Sequence, residues 1–279
     1  MLILLIGGLL IWKHYSKPKP YLAADDTLAV HFIDVGQGDC TLLACDGKIM
    51  LIDCGEYQYL DRVTDYLRSR GIKRIDCLVA THPHSDHMGG MAGIVDRFDI
   101  GRVIMPPLED YETPTAVYFE KFLDACADEG CSIDIAEVGD VIELGDARAE
   151  IIAPAHMGYE DLNDSSVSLV VTHGSNSFLL TGDAEAVSEN EMLAGGRLRH
   201  VNVYKAGHHG SSSSSSAAFL AVVRPDIAVI SCGRNNSYGH PSAYVLQRLS
   251  WYTDKIYRTD TEGTIVFESD GKVLRRIKE

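Results

Sequence analysis

Three histidines and an aspartate crowd into six residues of this chain, in the stretch HPHSDH that follows the apolar run IDCLVA. A turn at the end of a strand frees successive side chains from the two-sided alternation of the strand. His82 and His84 could therefore share one hollow, and Asp86 with His87 a second direction. Imidazole nitrogens suit zinc, and a carboxylate oxygen suits zinc or manganese. This histidine turn, residues 82–87, predicts a metal site; the alternative is a histidine-rich surface turn.

A metal site needs ligands from elsewhere in the chain as well, and two other segments offer them. Asp183 lies just past the apolar run of LLTGDAE, and His208 and His209 lie just past that of VYKAGHHGS. Both runs predict strands. Because open α/β sheets keep their sites at the carboxyl ends of strands, we expect these side chains to meet the histidine turn at one rim.

Strand and helix patterns alternate along most of the chain. Runs of apolar residues between turns predict strands, and apolar residues at helical spacing predict helices. The predicted strands lie near 27–35, 40–47, 48–55, 75–80, 101–105, 131–136, 148–153, 167–173, 176–181, 200–205, 226–231, 255–259, 263–268 and 272–277. The predicted helices lie near 59–71, 90–98, 115–129, 185–194, 215–223 and 241–251. Two strand-rich halves favour two sheets face to face with helices outside, in one domain over residues 21–279.

The chain is acidic, with a formal net charge of −15. A polyanionic partner would therefore be held by local positive charge or by metal ions, which argues against a protein that wraps nucleic acid. The seven cysteines form an odd count with no CxxC pair. That pattern argues against a disulfide framework and against a cysteine zinc site.

Residues 2–12 are almost wholly apolar, and Lys13, Lys17 and Lys19 follow them. The run is shorter than the roughly 20 residues that cross a bilayer and is closer to a signal-peptide core, although a signal places its positive charge in front. We predict a hydrophobic anchor or signal-like segment with a linker over residues 1–20. The catalytic domain would then be membrane-anchored or secreted and lie outside the cytoplasm; the alternative is a cytoplasmic protein.

Seven stretches carry a family resemblance: HFIDVGQGDC, LIDCG, THPHSDHMGG, NDSSVSLVV, LLTGD, KAGHHGS and NSYGHPS. With these motifs in this order, the chain resembles the metallo-β-lactamase-fold hydrolases. Within them it is similar to the branch formed by the hydrolase domain of ComEC-type competence proteins and its stand-alone relatives. The histidine turn marks the superfamily, whereas DVGQGD together with KAGHHGS marks the branch. The resemblance implies an α/β fold, a four-layer αββα sandwich, which agrees with the order of strands and helices.

The resemblance also implies two divalent metal ions as cofactors, zinc or manganese. His82 and His84 would hold the first ion, and Asp86 and His87 the second. Asp183 would bridge both ions. The metal site would therefore draw on both halves of the chain.

Further positions match the motifs of the family. One histidine of the pair His208 and His209 would complete the second site, and His209 is the favoured one. Asp53, in LIDCG, matches an aspartate that supports the histidine turn by hydrogen bonding; the alternative is a simple strand-end cap. Gln37 and Asp39, in GQGD, lie on a turn that the family places near the metal rim, where they would shape the pocket.

The chain departs from many members of the superfamily in one respect. Those members supply a third histidine to the first ion from the segment between the histidine turn and the bridging aspartate, but here that segment offers Asn163, Asp164 and Ser166. We expect the first ion to be held less tightly, with Asn163 in a supporting role. His156 could substitute as a ligand, and His173, on a predicted strand, is expected to be structural.

Four polar residues near the predicted ligands could contact a substrate phosphate. The ammonium of Lys205 could meet a phosphate oxygen; the alternative is a solvated lysine. His240 precedes a predicted helix, whose free N–H groups attract anions, and it could bind phosphate or protonate a leaving oxygen. Ser211 and Ser212 could lend hydroxyl groups. The rest of the serine run, up to Ser216, is expected to be a mobile loop.

The function predicted from these residues is hydrolysis by a metal-activated water, which Asp86 or Asp183 would steady. The favoured class is a phosphodiesterase or nuclease with a phosphodiester substrate, DNA among the candidates. No basic cluster interleaved with aromatic residues offers a track for long DNA. One alternative is a lactonase or β-lactamase-type hydrolase of carbonyl compounds. Another is a non-catalytic metal-binding domain. That class typically loses ligands of the histidine turn, whereas here all four are present. The sequence shows no dedicated protein partner.

Overall fold

The computed structural model describes residues 22–24, 26–110 and 112–278 of the 279-residue chain. The predicted anchor and linker over residues 1–20 therefore lie outside the described residues. Within the described ranges, every helix is too short or too polar to cross a bilayer.

Strands and helices alternate along the chain much as the sequence predicts. The strands are β1 (Leu28–Phe32), β2 (Thr41–Cys45), β3 (Lys48–Ile52), β4 (Arg74–Ile75), β5 (Cys77–Val79), β6 (Asp99–Ile100), β7 (Val103–Met105), β8 (Ile133–Ile135), β9 (Val141–Leu144), β10 (Ala147–Ala153), β11 (Ser168–His173), β12 (Asn176–Leu180), β13 (Val203–Lys205), β14 (Ile227–Ile230), β15 (Ile256–Arg258), β16 (Ile265–Ser269) and β17 (Leu274–Ile277). The helices are α1 (Leu60–Ser69), α2 (Ser85–Met88), α3 (Met91–Val95), α4 (Val117–Glu129), α5 (Ala186–Ala194), α6 (Ala217–Val223), α7 (Ala243–Ser250) and α8 (Thr259–Glu262).

The strands form two large sheets. One sheet has eight strands in the order β17-β16-β1-β2-β3-β5-β7-β8, and the other has seven in the order β15-β14-β13-β12-β11-β10-β9. Strands β4 and β6 pair separately as a two-stranded sheet. In each large sheet antiparallel hairpins lead into parallel strands, with β3, β5 and β7 parallel in the first and β12, β13 and β14 parallel in the second.

Three apolar clusters show how the layers stack. The central cluster joins Phe32 and Leu43 of the first sheet to Leu169 and Phe178 of the second, so the two sheets pack face to face. A second cluster lies between the first sheet and the helices α1, α3 and α4, and a third lies between the second sheet and α5, α6 and α7. Because each helix buries its apolar side against a sheet, the order of layers is αββα. The predicted fold is confirmed.

The predicted helix near 90–98 is observed as the short helix α3, and a separate short helix that was not predicted, α2, precedes it within the histidine turn. The break between them is at Gly89 and Gly90, where the chain passes close to other backbone atoms. A Cβ atom at Gly89 would lie 2.7 Å from the backbone nitrogen of Tyr57. The close approach requires glycine, and it makes the end of the histidine turn a helical turn of its own. The short strands β4, β6 and β9 and the helix α8 were not predicted.

The carboxyl ends of four parallel strands carry the predicted site residues. Asp53 follows β3, and the histidine turn follows β5. Across the sandwich, Asp183 follows β12, and the pair His208 and His209 follows β13. A backbone hydrogen bond of 2.9 Å from the Val167 nitrogen to the Thr81 oxygen joins the two sheets at this rim. The topology therefore brings segments from both halves of the chain to one edge.

Candidate metal centre

The histidine turn points two imidazoles at each other. Nε2 of His82 lies 2.9 Å from Nδ1 of His84. His82 is fully buried, whereas His84 lines an open cleft. Gly38 holds the turn from the other side, because a Cβ atom there would lie 2.3 Å from the Asp86 carbonyl oxygen and its φ is +140°.

Asp53 fixes the orientation of His87. One carboxylate oxygen of Asp53 lies 2.7 Å from Nδ1 of His87, and the same carboxylate accepts hydrogen bonds from the Thr81 amide at 2.9 Å and the Thr81 hydroxyl at 2.7 Å. An ionised carboxylate only accepts hydrogen bonds, so Nδ1 of His87 carries the proton. Nε2 of His87 is then free to offer its lone pair to a metal ion, which is the usual arrangement around a metal-binding histidine.

Asp183 lies at the centre of the cluster. Its Oδ2 is 3.2 Å from Nε2 of His87 and 3.2 Å from Nε2 of His209. Nε2 of His208 is farther away, at 3.8 Å. The Asp183 amide donates a 3.0 Å hydrogen bond to the Ser166 hydroxyl, which fixes the backbone there. Asp183 therefore lies between His87 and His209, two of the residues predicted to hold the second ion.

His208 and His209 differ in what they contact. Nδ1 of His209 lies 3.0 Å from the Ser231 carbonyl oxygen, so it must donate, and Nε2 is directed to Asp86 at 3.1 Å. Nδ1 of His208 instead lies 2.6 Å from Glu185. Both residues have left-handed φ angles, +45° and +52°. A conformation this rare for histidine persists only where the surroundings impose it, and such positions concentrate at functional sites.

Charge is densely packed at this centre. Burial lowers the pKa of His87 and of His209, but the nearby carboxylates, Asp183 foremost, outweigh burial and raise both pKa values well above the ordinary value. Burial raises the pKa of Asp183, yet the charges of His209 and His87 hold it well below its ordinary range. The buried carboxylates here therefore require positive charge close by. A divalent cation would balance the same charge and would leave the imidazoles neutral, as ligands must be.

The donor set fits a divalent metal ion. Ligand atoms of Asp39, His87, Asp183 and His209 all lie within 4.8 Å of one another, and all four residues are buried. Within the described ranges, one polar atom on each of Asp39, His87, Asp183 and Asn163 is buried without a hydrogen-bond partner. Buried polar atoms are rarely left unsatisfied, so this concentration of them around one point is the pattern expected where a cation belongs.

Lys205 lies beneath the centre rather than on the wall of the cleft. Its side chain is buried, forms an ion pair with Asp39, and donates to the carbonyl oxygens of Gly182 at 3.0 Å and Ala206 at 3.3 Å. Burial lowers the pKa of Lys205, but Asp39 and Asp183 outweigh burial and raise it. The predicted contact with a substrate phosphate is therefore not supported, because the ammonium group already has three partners. Lys205 instead neutralises Asp39 under the metal centre.

A cleft of about 350 Å³ opens over the cluster. Its lining residues are Gln37, His84, Ser85, Asp86, Tyr118, Asn163, Asp183, His208, His209, Tyr238 and His240. The ring of His240 lies 5.4 Å from that of His208. Burial lowers the pKa of His240, and the charges of His208 and His209 lower it further. The side-chain oxygen of Gln37 accepts a hydrogen bond from the Gly233 amide at 3.1 Å, so Gln37 joins the two sides of the cleft.

The serine run is a hydrogen-bonded turn in which Ser211, Ser214 and Ser215 are buried and Ser212 is exposed. In this serine turn, residues 207–216, the Ser214 hydroxyl donates to the Gly207 carbonyl at 2.6 Å. Glu189 accepts hydrogen bonds from the amides of Ser215 at 2.5 Å and Ser216 at 2.8 Å. The segment is a loop, as predicted, and these hydrogen bonds anchor its second half.

The two serines predicted to contact phosphate lie away from the cleft. The Ser211 hydroxyl pairs with that of Ser213 at 2.7 Å, and neither Ser211 nor Ser212 lines the cleft. The sequence analysis also overlooked Glu185 and Glu189, which anchor His208 and the serine turn. The motif LLTGDAE contains Glu185 two positions after Asp183, and that spacing is the signal that could have identified it.

Comparisons with known proteins agree with this site. The family model described as the metallo-beta-lactamase superfamily matches residues 33–234. The chain is 30% identical to ComE operon protein 3 of Bacillus subtilis, over 88% of this chain and 33% of that protein. It is 32% identical to Recombination protein 2 of Haemophilus influenzae, over 95% of this chain and 31% of that protein. The chain thus spans about a third of the length of these curated relatives.

Solved structures share the fold at low sequence identity. The metallo-β-lactamase-fold protein YhfI of Bacillus subtilis aligns with a TM-score of 0.58 and 10% identity, over 87% of this chain and all of that one. Igni18, a metallo hydrolase of Ignicoccus hospitalis, aligns with a TM-score of 0.56 and 17% identity, over 86% of this chain and 98% of that one. The fold, the motifs and the family match agree: the chain belongs to the metallo-β-lactamase superfamily, as a domain homologous to ComEC-type competence proteins.

Proposed function

We propose that this domain is a metal-dependent phosphodiesterase that cleaves nucleic acid or smaller phosphodiesters. The observation that supports the proposal most directly is the cluster of His87, Asp183 and His209 at the base of a cleft whose upper wall carries further imidazoles. Metal sites of this composition bind zinc or manganese.

The residues that would hold two divalent ions are His82, His84, Asp86, His87, Asp183 and His209. Bound there, the ions would supply Lewis acidity, which makes hydroxide available at neutral pH and neutralises charge that develops on a substrate oxygen. Asp53 keeps His87 in the tautomer that can bind metal, and the Ser231 carbonyl does the same for His209. The protein therefore presents pre-oriented ligands.

The upper part of the cleft favours a phosphate over a carbonyl substrate. Nε2 of His208 faces the cleft because Glu185 holds its Nδ1, and Nδ1 of His240 is buried without a hydrogen-bond partner in the described part of the chain. Two imidazoles beside a metal centre can donate hydrogen bonds to the non-bridging oxygens of a phosphodiester, or a proton to its leaving oxygen. A carbonyl group has only one such oxygen and offers fewer acceptors to these two donors.

The names of the relatives concern competence and recombination, which directs the substrate proposal to DNA. The net charge of −15 opposes binding of long duplexes, so we propose that ends or single strands reach the cleft. We also propose that the domain works outside the cytoplasm in association with a membrane. Protease accessibility in intact cells, compared with permeabilised cells, tests that placement.

A substrate panel tests the proposed function. Protein loaded with Mn²⁺ or Zn²⁺ should hydrolyse bis-p-nitrophenyl phosphate and linear DNA, and should leave the β-lactam nitrocefin intact. Hydrolysis of nitrocefin alone would assign the domain to carbonyl chemistry. Metal binding without turnover of any of the three substrates would make it a non-catalytic metal-binding domain.

A further inference from the structure

The two metal positions have uneven sets of ligands. The second position can draw on Asp86, His87 and His209, whereas the first can draw only on His82 and His84, with Asp183 shared between them. Two imidazoles and a shared carboxylate give the first ion three ligands from the chain, whereas the second position can draw on four. A catalytic ion can hold water in an open position, so the question is whether the chain offers the first ion a further donor. This inference rests on the proposed function, since it concerns the same ions.

Two histidines near this segment are turned to other partners. Nδ1 of His156 lies 2.6 Å from the Met157 carbonyl, its Nε2 lies 3.0 Å from Glu191, and the side chain is exposed. His173 ends strand β11 far from the rim, where its Nδ1 pairs with Ser269 at 2.9 Å. Neither ring can face His82 as the structure places it.

Two oxygen donors of the same segment are also committed. Oδ1 of Asp164 accepts hydrogen bonds from the amides of Glu185 at 2.9 Å and Ser188 at 3.0 Å, at the start of helix α5. The Ser166 hydroxyl accepts from the Asp183 amide at 3.0 Å. Oδ1 of Asp164 therefore already accepts two hydrogen bonds, and the Ser166 hydroxyl contacts Nδ1 of His82 at 3.4 Å as well as the Asp183 amide, so both oxygens are engaged by other groups of the protein.

Asn163 is different from these four residues. It lies in the 3₁₀ turn Leu162–Ser165, where its amide donates to the Asp161 side chain at 2.9 Å and its carbonyl accepts from the Ser166 amide at 3.1 Å. Its side chain is 7% exposed and lines the cleft together with His84 and Asp183. Within the described ranges its Oδ1 is buried and has no hydrogen-bond partner. An amide oxygen buried in this way carries a desolvation cost that a cation would offset.

We propose that the side-chain oxygen of Asn163 binds the first metal ion, in the place where other members of the superfamily use a histidine. A neutral amide oxygen is a harder donor than an imidazole nitrogen, and carbonyl oxygens suit manganese better than zinc. The first position therefore prefers Mn²⁺, relative to the second position, and binds its ion more weakly. The two positions fill in sequence, the second before the first.

Calorimetric titration of the metal-free protein with Mn²⁺ tests the assignment. Wild type should bind two ions per chain, one tightly and one weakly. Asn163→Ala should keep the tight ion and lose about 100-fold or more in affinity for the weak one, at or beyond the upper end of the 10- to 100-fold range seen when a merely supporting group is removed. Asn163→Asp should restore the weak site, because it returns an oxygen donor. Asn202→Ala, a substitution at the opposite end of strand β13, is the matched control and should titrate as wild type.

The outcomes separate this proposal from the proposed function. Two ions bound by Asn163→Ala with wild-type affinities would overturn the Asn163 assignment and leave a metal-dependent hydrolase intact. Failure of wild type to bind any ion would overturn both. Circular dichroism of the metal-free variants checks that they fold. If Asn163→Ala does not fold, Asn163→Asp still decides the question. A weak site with wild-type affinity in Asn163→Asp supports the assignment, and the absence of a weak site contradicts it.

Discussion

The two turns that carry histidines to the metal centre are fixed in place by different means. In the histidine turn one carboxylate, Asp53, contacts both the ligand His87 and the backbone of Thr81. In the serine turn the carboxylate of Glu189 binds the amides of Ser215 and Ser216 and does not touch a histidine.

This difference separates metal binding from folding. A group that contacts a ligand should affect the affinity for metal when it is removed, because it sets the tautomer and orientation of the ring. A group that satisfies only backbone amides should affect stability. In the histidine turn the supporting residue Asp53 therefore contacts a metal ligand directly. In the serine turn the supporting residue Glu189 contacts backbone amides instead.

The largest expected effect comes from the ligand of the serine turn. His209→Ala removes Nε2 from between Asp86 and Asp183, so we expect kcat/KM for bis-p-nitrophenyl phosphate to fall about 100-fold or more, beyond what loss of a merely supporting group costs. His208→Ala is the matched variant and should keep its metal content. Steady-state kinetics with metal analysis checks both, and equal metal loss in the two variants would contradict the assignment of His209.

Next in size is the support of the histidine turn. Asp53→Asn keeps a residue that tolerates the φ of +58° at this position, but the amide cannot accept from Thr81 and His87 in the same way. We expect about 10- to 100-fold weaker metal binding, measured by competition with a chelating dye. Asp46→Asn changes an aspartate at a similar φ of +48° in the turn between β2 and β3. That control should leave affinity unchanged, and a matching loss there would point to a backbone effect.

The sequence predicted the histidine turn well because every side chain that matters there is local or at a strand end. HPHSDH and LIDCG are short motifs on neighbouring parallel strands, so topology alone brings Asp53 to His87. The layers of the fold were predictable for the same reason, since apolar periodicity marks each strand and helix.

The sequence did not predict how the serine turn is held. Glu189 is 26 positions before Ser215 and lies on a helix, where a glutamate ordinarily faces solvent. A run of small polar residues is also typical of loops. Likewise Lys205 follows a strand as a phosphate-binding lysine could, and only the packing of β13 against the GQGD turn shows that it pairs with Asp39. The roles of Glu189 and Lys205 depend on partners that are distant in the sequence. A sequence pattern does not show which distant residues meet.

Glu189 should make stability depend on pH. Burial raises the pKa of Glu189 from 4.5 to about 7. Because the folded pKa lies above the unfolded one, the stability that this group contributes is present below about pH 4.5 and is lost as the pH rises through about 7. Between pH 4.5 and 8 the free energy of unfolding of wild type should fall by roughly 3 kcal/mol relative to that of Glu189→Gln.

Urea unfolding at a series of pH values measures this difference. The amide of Glu189→Gln does not titrate, so the stability of this variant should lack the fall between pH 4.5 and 8. Metal affinity at fixed pH should change little in this variant. If the free energies of unfolding of the two proteins changed with pH in the same way, the titration of Glu189 would be contradicted. If Glu189→Gln lost much of its metal affinity, the proposed difference between the two turns would be wrong.

The smallest effect is expected at Ser213. Its hydroxyl donates to Glu185 at 2.5 Å, while Glu185 also contacts His208. Ser213→Ala removes the hydrogen bonds to Glu185 and to Ser211, of about 1 kcal/mol each, so the free energy of unfolding should fall by about 2 kcal/mol, and Glu185 should still hold His208. Thermal unfolding measures the change, with the exposed Ser212→Ala as control. A loss of activity larger than tenfold would show that His208 depends on Ser213 as well as on Glu185.

Metal add-back tests the central claim most directly. Protein freed of metal by a chelator is titrated with Mn²⁺ or Zn²⁺ while hydrolysis of bis-p-nitrophenyl phosphate is followed, in wild type and in Asp183→Asn. Wild-type activity should rise from background and level off as two ions per chain are bound, whereas Asp183→Asn should remain near background. Full turnover by metal-free wild type, or by Asp183→Asn at the same metal concentrations, would contradict the account.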